Sequence, residues 1–207
     1  MCPGGLIVPA ATAPGEIVVN GMSMSKRNSR FANSGVVTNA AEIEWKEFKN
    51  AGALAGLQLQ RAVEQQMFRA GGGVTQQAPA QCLKDFVEGK LSRDLPECSY
   101  IPGIISQPLH ELLPREIAER LREGLRMFEK KMHGYLTNNA VVLATESRTS
   151  SPVRIPREKE SCEHTALKRL FPCGEGAGYA GGIVSAALDG ERVAQAIAST
   201  YLESASA

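Results

Sequence analysis

A dense run of glycines near the carboxyl end constrains the fold of this chain more than any other feature. Residues 174–182 read GEGAGYAGG, and apolar residues at helical spacing follow them. Glycines let a backbone approach a ligand closely, and the free N–H groups at the start of a helix favour an electron-rich group there. The segment therefore predicts a turn and a helix that together can hold a ligand. The expected apolar stripe of this helix comprises Ile183, Ala187, Gly190, Ala194, Ile197 and Tyr201.

Gly176, Gly178 and Gly181 also satisfy the dinucleotide fingerprint GxGxxG. A Rossmann unit that uses this fingerprint continues with a second strand and with an acidic residue about 20 residues further on, which binds the ribose. Only 26 residues follow Gly181, and their pattern is helical nearly to the end. The motif is therefore expected to close a fold instead of opening one. Tight packing of a helix on a sheet, without a ligand, is the alternative.

The first forty residues predict strands. β-Branched runs at 6–8 and 17–19 flank a turn signal at 13–15, which indicates a hairpin. Residues 36–38 are a candidate third strand.

The middle of the chain predicts helices. Leu59, Val63 and Met67 lie one helical turn apart, and the glycines at 71–73 can end that helix in a left-handed conformation. A short second helix is expected over 79–88. Its inward residues would be Leu83, Phe86 and Val87.

The clearest helix spans residues 115–132. It follows Pro114, whose missing N–H costs nothing at a helix start. A loop over 90–107 is expected before it, a strand over 140–144 after it, and then a polar extended stretch over 145–156. The apolar stripe of the 115–132 helix comprises Ile117, Leu121, Leu125, Phe128 and Met132.

Composition excludes several classes of function. A formal net charge of +1 lacks the basic footprint of a nucleic-acid-binding protein. No segment approaches the roughly 20 apolar residues of a membrane helix, and residues 1–11 lack the basic region of a signal peptide. The five cysteines show no CxxC, which favours a reducing compartment. A soluble, intracellular, cytoplasmic protein without nucleic-acid or membrane partners is expected.

The residues from Phe171 to Gly190 closely resemble the C-terminal signature of the uncharacterised FAD-dependent dehydrogenases, a family of NAD(P)/FAD-dependent oxidoreductases. Further matching segments run in the same order along nearly the whole chain. They are Met1–Gly5, Val19–Ser23, Ala32–Ser34, Leu54–Arg61, Leu109–Pro114 and Glu146–Arg154.

The resemblance implies a mixed α/β chain in two parts. Residues 1–145 would form a substrate domain, a small sheet covered by helices. Residues 146–207 would be the last strand, glycine turn and helix of a Rossmann-like FAD-binding domain. The family's first βαβ unit, which grips the ADP half of FAD, has no counterpart here. The resemblance therefore implies a fragment whose partner is the missing N-terminal FAD-binding half.

Roles for individual residues follow from the same resemblance. Glu175 would contact the ribityl chain of FAD or its neighbouring phosphate. Backbone N–H groups of Gly181, Gly182 and Ile183 would face the flavin pyrimidine edge, and the stretch 148–154 would lie near the isoalloxazine ring. The implied cofactor-binding set is Gly174, Glu175, Gly176, Ala177, Gly178, Gly181, Gly182, Ile183, Arg148 and Arg154.

Two residues are candidates for catalysis. Cys2 matches the family and can face the flavin as a thiol, although a small side chain in a tight turn explains it as well. His110, beside Glu111, can supply a proton, although a helix cap or salt bridge explains it equally. No metal site is expected, because residues 162–164 lack the further ligands that zinc needs.

The expected activity is hydride transfer between an unknown small-molecule substrate and FAD, with NAD(P)H as the candidate electron donor. The fragment alone is expected to bind FAD poorly and to be inactive. The alternative is a non-enzymatic interaction domain that has lost the cofactor. A complete small NAD(P)-binding protein is disfavoured because neither the following strand nor the ribose-binding acid is found. A parent from a plant or alga would place the protein in a plastid instead of the cytoplasm.

Overall fold

The computed structural model describes the backbone of residues 4–205 and the side chains of residues 4–200. The described residues form two compact units. The first unit contains residues 4–51 and 58–147, and the second contains residues 52–57 and 148–205. Helices and small sheets mix along the chain, so the predicted α/β class is confirmed.

The first unit opens with the predicted hairpin. Strand β1 (Gly5–Pro9) pairs antiparallel with strand β2 (Val19–Ser23), so that Pro9 lies opposite Val19. The second strand begins later than the sequence suggested, and Ile17 before it is fully buried in the core. The strand expected at 36–38 is wrong. Val37 is 52% exposed, because this short run has no neighbouring strand to pair with in the described structure.

A three-stranded mixed sheet forms the centre of the first unit. Strand β3 (Ala78–Cys82) lies between β4 (Ile104–Ser106), to which it is parallel, and β5 (Val141–Leu143), to which it is antiparallel. All five residues of β3 are buried. The helix expected over 79–88 therefore begins only at Leu83, because the preceding residues pair on both sides as a central strand.

Five α-helices and one stretch of 3₁₀ turns occupy the described residues. The 3₁₀ turns cover Lys46–Leu54 and are interrupted at Gly52. The α-helices are α1 (Ala55–Ala70), α2 (Leu83–Glu88), α3 (Leu109–Leu112), α4 (Arg115–Lys131) and α5 (Ile183–Ala205). Among them, none is both long and apolar enough to span a membrane.

Helix α1 behaves as its sequence predicts. Leu59, Val63 and Met67 are buried in the core. The Gly71 N–H donates to the Met67 carbonyl at 2.9 Å, and φ at Gly72 is +102°. The left-handed glycine ending is therefore confirmed.

Helices α2 and α4 pack on the same core. Leu83, Phe86 and Val87 of α2 are buried, as predicted. Leu125 of α4 is also buried, whereas Phe128 in its last turn is exposed. The apolar stripe of α4 therefore faces the core only along its earlier turns.

In the second unit, residues 148–182 contain neither helix nor strand, and α5 follows them. The last strand that the resemblance implies for residues 146–207 is wrong for the described residues, because no described segment offers a ladder partner in this part of the chain. The expected stripe of α5 is also wrong. Ile183 is 92% exposed and Ala187 is exposed, while Val193 on a different face is buried. Residues 148–182 cover only that other face.

Candidate functional site

A buried ion pair fixes the start of the glycine turn in the second unit. Arg157 donates from Nη1 and Nη2 to the two carboxylate oxygens of Asp189, at 3.0 and 2.5 Å. The same carboxylate accepts the Gly174 N–H at 2.9 Å, and Arg157 also donates to the Pro172 carbonyl at 2.7 Å. The Arg157 guanidinium, helped by the Gly174 N–H, lowers the pKa of Asp189 to about 2. The turn therefore begins at a backbone position held by two charged side chains.

The middle of the turn packs on the segment at 153–155. The Ile155 N–H donates to the Ala177 carbonyl at 3.1 Å, and the Gly178 N–H donates to the Glu175 carbonyl at 2.9 Å. Gly178 has φ +83°, and a Cβ there would lie 2.7 Å from the Val153 carbonyl oxygen. Packing within the chain therefore explains this glycine without a ligand.

The other glycines of the turn have open space beside them. A Cβ on Gly176 would meet no described atom within 4 Å. A Cβ on Gly181 or Gly182 would meet its nearest neighbour only at 3.8 or 3.9 Å, which is ordinary contact. Glu175, between Gly174 and Gly176, is exposed. The absence of side chains here leaves a surface that a ligand can approach closely.

One backbone N–H group at the start of α5 is hydrogen-bonded to a side chain of the same helix. The Gly181 N–H, which the family resemblance assigns to the flavin, donates to Ser185 Oγ at 3.3 Å. That hydroxyl donates in turn to the Gly182 carbonyl at 3.0 Å. The first N–H groups of a helix have no partner inside the helix, and α5 begins at Ile183, which is 92% exposed.

A cationic cavity of about 440 Å³ lies beside the turn in the same unit. Two guanidinium groups lie over the Tyr179 ring, with Arg154 Cζ 4.3 Å and Arg157 Cζ 3.6 Å from its centroid. Lys159 and Arg192 add two further cations. Asp189 neutralises Arg157, and Glu158 is the acidic residue of the lining. The remaining positive charge favours an anionic ligand.

The other predicted site residues have different positions. Arg148 is half-buried at the start of the second unit, and Cys2 lies outside the described residues. His110 lies in the first unit, with a side chain that is 10% exposed. Its Nδ1 contacts the Gln81 side-chain amide at 2.9 Å, and its Nε2 is 3.5 Å from Glu111. The structure places His110 in a side-chain network and not in the lining of the cationic cavity.

A larger cavity, of about 570 Å³, lies in the first unit and is called the first-unit cavity below. Three segments that carry the family resemblance contribute to its lining, namely Asn20 with Gly21, residues 32–34 and Glu146. Burial raises the pKa of Glu146. No local sequence pattern indicates this cavity, because its lining segments are far apart in the chain. The sign in the sequence that links these segments is that each lies in a stretch that resembles the family.

Comparison with known proteins assigns the family of this α/β chain. Residues 1–149 match the model of a family described as FAD-dependent protein, C-terminal domain-like. The chain belongs to that family. It is thereby related to flavoproteins.

A curated relative extends the comparison beyond residue 149. An uncharacterized protein of Clostridium beijerinckii (strain ATCC 51743 / NCIMB 8052) is 42% identical to this chain over 199 residues. The match covers 95% of this chain and 36% of the relative. The chain therefore spans about a third of that relative, and the matched region includes most of the second unit.

Proposed function

We propose that this chain supplies the substrate domain and part of the FAD site of a flavin-dependent oxidoreductase. The observation that carries the proposal is the open surface of the glycine turn. Gly176, Gly181 and Gly182 have no side chains there, although no described atom lies close enough to exclude a Cβ. Membership in a FAD-dependent family supports the choice of cofactor. The residues present fit such a group, because close backbone approach, an exposed carboxylate and a helix start occur together.

In this proposal the second unit binds and orients the cofactor as the last part of a Rossmann-like domain. The Glu175 carboxylate accepts hydrogen bonds from ribityl hydroxyls, and the N–H groups of Gly182 and Ile183 at the helix start face the electron-rich edge of the flavin. Arg148 and Arg154 lie in one segment of the chain, and residues 153–155 of that segment pack against the glycine turn. Bound FAD supplies the hydride chemistry, while these residues hold it in place.

The cationic cavity provides a second element of the proposal. Arg154, Lys159 and Arg192 attract phosphate groups, and Tyr179 offers an aromatic face. We assign this cavity to a phosphate-bearing part of a dinucleotide. FAD is the first candidate and NAD(P)H, as electron donor, is the second. The remaining two thirds of a protein like the Clostridium relative would supply the partner FAD-binding half.

One observation favours a second function. Ile183, Val184 and Leu188 at the start of α5 are 92%, 72% and 61% exposed. A non-enzymatic interaction domain would use such an apolar face to bind a protein. In that case we expect the glycine turn to bind FAD no more tightly than any other small molecule.

Titration of FAD into the 207-residue chain separates these functions. We expect weak but saturable line broadening of the FAD resonances in ligand-observed NMR. Gly176→Leu should abolish the broadening, because its side chain fills the open surface of the turn. Gly124→Leu is the matched control, since a Cβ there also meets nothing within 4 Å but lies on helix α4. Equal broadening in both variants, or none in the wild type, would contradict the proposal.

A further inference from the structure

The first-unit cavity has the size and character of a ligand site. Its walls are mainly apolar and include Phe31, Leu83, Phe86, Leu121 and Leu125. At about 570 Å³ it is far larger than the space one water molecule needs. Pockets of roughly 300–1,000 Å³ with apolar walls and a few polar groups are typical of sites for small organic molecules.

Four polar side chains of this cavity already have partners within the protein. The Asn33 amide donates to the carbonyls of Leu6 and Met22, each at 3.3 Å. Ser99 Oγ accepts the Ile7 N–H at 3.0 Å. Arg30 and Glu97 form an exposed ion pair at 2.5 Å with each other. These groups shape the cavity but are not aimed at a ligand.

Glu146 differs from these groups. Within the part of the chain that the structure describes, its half-buried carboxylate makes no hydrogen bond or ion pair, and it lines the cavity. Gly35 leaves room for it, because a Cβ at Gly35 would lie 2.9 Å from Glu146 Oε2. Because this carboxylate has no protein hydrogen bond to give up, it is available to accept one from a ligand in the cavity.

We propose that the first-unit cavity binds a small, mostly apolar, neutral organic molecule with a hydroxyl group, and that Glu146 holds this hydroxyl. The apolar walls select against charged ligands, since burying an unpaired charge is costly. The other titratable groups that line the cavity are Arg30, Glu97, Cys98 and Tyr135, and Arg30 is already paired with Glu97. That this ligand is the substrate of the flavoenzyme rests on the proposed function, whereas binding itself needs no flavin.

A neutral aromatic alcohol, 2-naphthol, is the probe for this site. It is titrated into the 207-residue chain in the absence of FAD and followed by its fluorescence and by backbone amide shifts. We expect one saturable site, with the largest shifts in β2, β5 and residues 32–36. Glu146→Ala should weaken binding about tenfold, the effect of losing one hydrogen bond to a charged group. Glu123→Ala, at an exposed position outside the cavity, should leave binding unchanged.

Two neighbouring valines give a matched test of location. Val36 lines the cavity and is 37% exposed, whereas Val37 does not line it and is 52% exposed. Both lie outside helices and strands, so a tryptophan at either position interrupts no helix or strand. Val36→Trp should reduce 2-naphthol binding more than tenfold, and Val37→Trp should not. Circular dichroism of each variant checks that the fold is retained.

The outcomes separate this proposal from the flavin proposal. Absence of saturable 2-naphthol binding, or equal binding by the Val36→Trp and Val37→Trp variants, overturns the cavity site. Weakening by Val36→Trp but not by Glu146→Ala overturns the role of Glu146. If 2-naphthol binds as expected while FAD never binds, the cavity site stands and the proposed function fails. If FAD binds while 2-naphthol does not, the proposed function stands and the cavity site fails.

Discussion

Arg157 and Asp189 are 32 residues apart in the sequence and form a two-bond ion pair whose side chains are only 4% and 9% exposed. Because Asp189 also accepts the Gly174 N–H, the pair joins the loop before the glycine turn, the turn itself and helix α5. The second unit has little apolar core, with Val193, Ala177 and Cys162 among its few buried side chains. The ion pair is therefore a main determinant of how the turn is held.

Asp189→Asn should destabilise the second unit by about 2–4 kcal/mol at neutral pH, because it removes the pair and leaves Arg157 buried without its counter-charge. Loss of α5 helicity on heating, followed by far-UV circular dichroism, measures this change. Glu191→Gln, an exposed position two residues further along the same helix, is the control and should have almost no effect. Fluorescence of Trp45, which lies in the first unit, should report unchanged stability there. A neutral effect of Asp189→Asn would show that the pair is dispensable.

Acid should produce the same destabilisation in the wild type. The pKa of Asp189 is lowered from 3.8 to about 2, so the folded state binds this proton less readily than the unfolded state. The stability it contributes is fully present above about pH 4 and is lost as the pH falls toward 2. Thermal unfolding of α5 at several pH values should show this loss in the wild type. The Asp189→Asn variant should lack it over that interval.

Two glycines of the turn should respond differently to alanine. Gly178→Ala forces φ +83° on a residue with a side chain and places Cβ 2.7 Å from the Val153 carbonyl oxygen, so it should cost about 2 kcal/mol or more. Gly176→Ala meets no atom within 4 Å and should leave stability within about 0.5 kcal/mol. Thermal unfolding of both variants makes the comparison. Equal costs would mean that the packing described for the turn is wrong.

Glu146 should lower the stability of the first unit as the pH rises. Burial raises its pKa, so the folded state holds the proton more tightly than the unfolded state. Stability is therefore lost as the pH rises from below the ordinary pKa of 4.5 through the raised value. Glu146→Gln should be more stable than the wild type at neutral pH and should lose this advantage below about pH 4. Urea unfolding followed by Trp45 fluorescence tests this, and an equal advantage at every pH would refute it.

The cationic cavity should bind inorganic pyrophosphate weakly and in a salt-dependent manner. Arg154→Gln should weaken binding several-fold, because it removes an exposed cation from the lining. Lys168→Gln is the control, since Lys168 is 87% exposed and lies outside that lining. Phosphorus NMR measures the binding. The same loss in both variants would indicate a diffuse surface charge instead of a site.

Local patterns in the sequence predicted local structure well. Helix α4 follows Pro114 as expected, and α1 ends at the predicted glycines, because starts and endings depend on neighbouring residues alone. Strand β3 could not be predicted in this way. Its residues lack β-branched side chains, and it becomes a strand only because β4 and β5 pair with it.

The site was predictable only in part for the same reason. The glycine run identified the turn, but the partners that hold it, Arg157 and Asp189, carry no mark in the sequence. The predicted stripe of α5 failed because an apolar face is buried only if other chain covers it, and Ile183 is uncovered here. The first-unit cavity combines segments from residue 7 to residue 146, which no local pattern relates.

The flavin content of the Clostridium beijerinckii relative tests the central claim most directly. The relative, and separately the segment of it that matches this chain, would be purified after expression with FAD and examined for absorbance in the oxidised-flavin bands. We predict a yellow full-length protein that releases FAD on denaturation, and a colourless segment that binds added FAD only weakly. A full-length protein that retains no flavin, even after refolding in excess FAD, would contradict the assignment of the glycine turn to a flavin site.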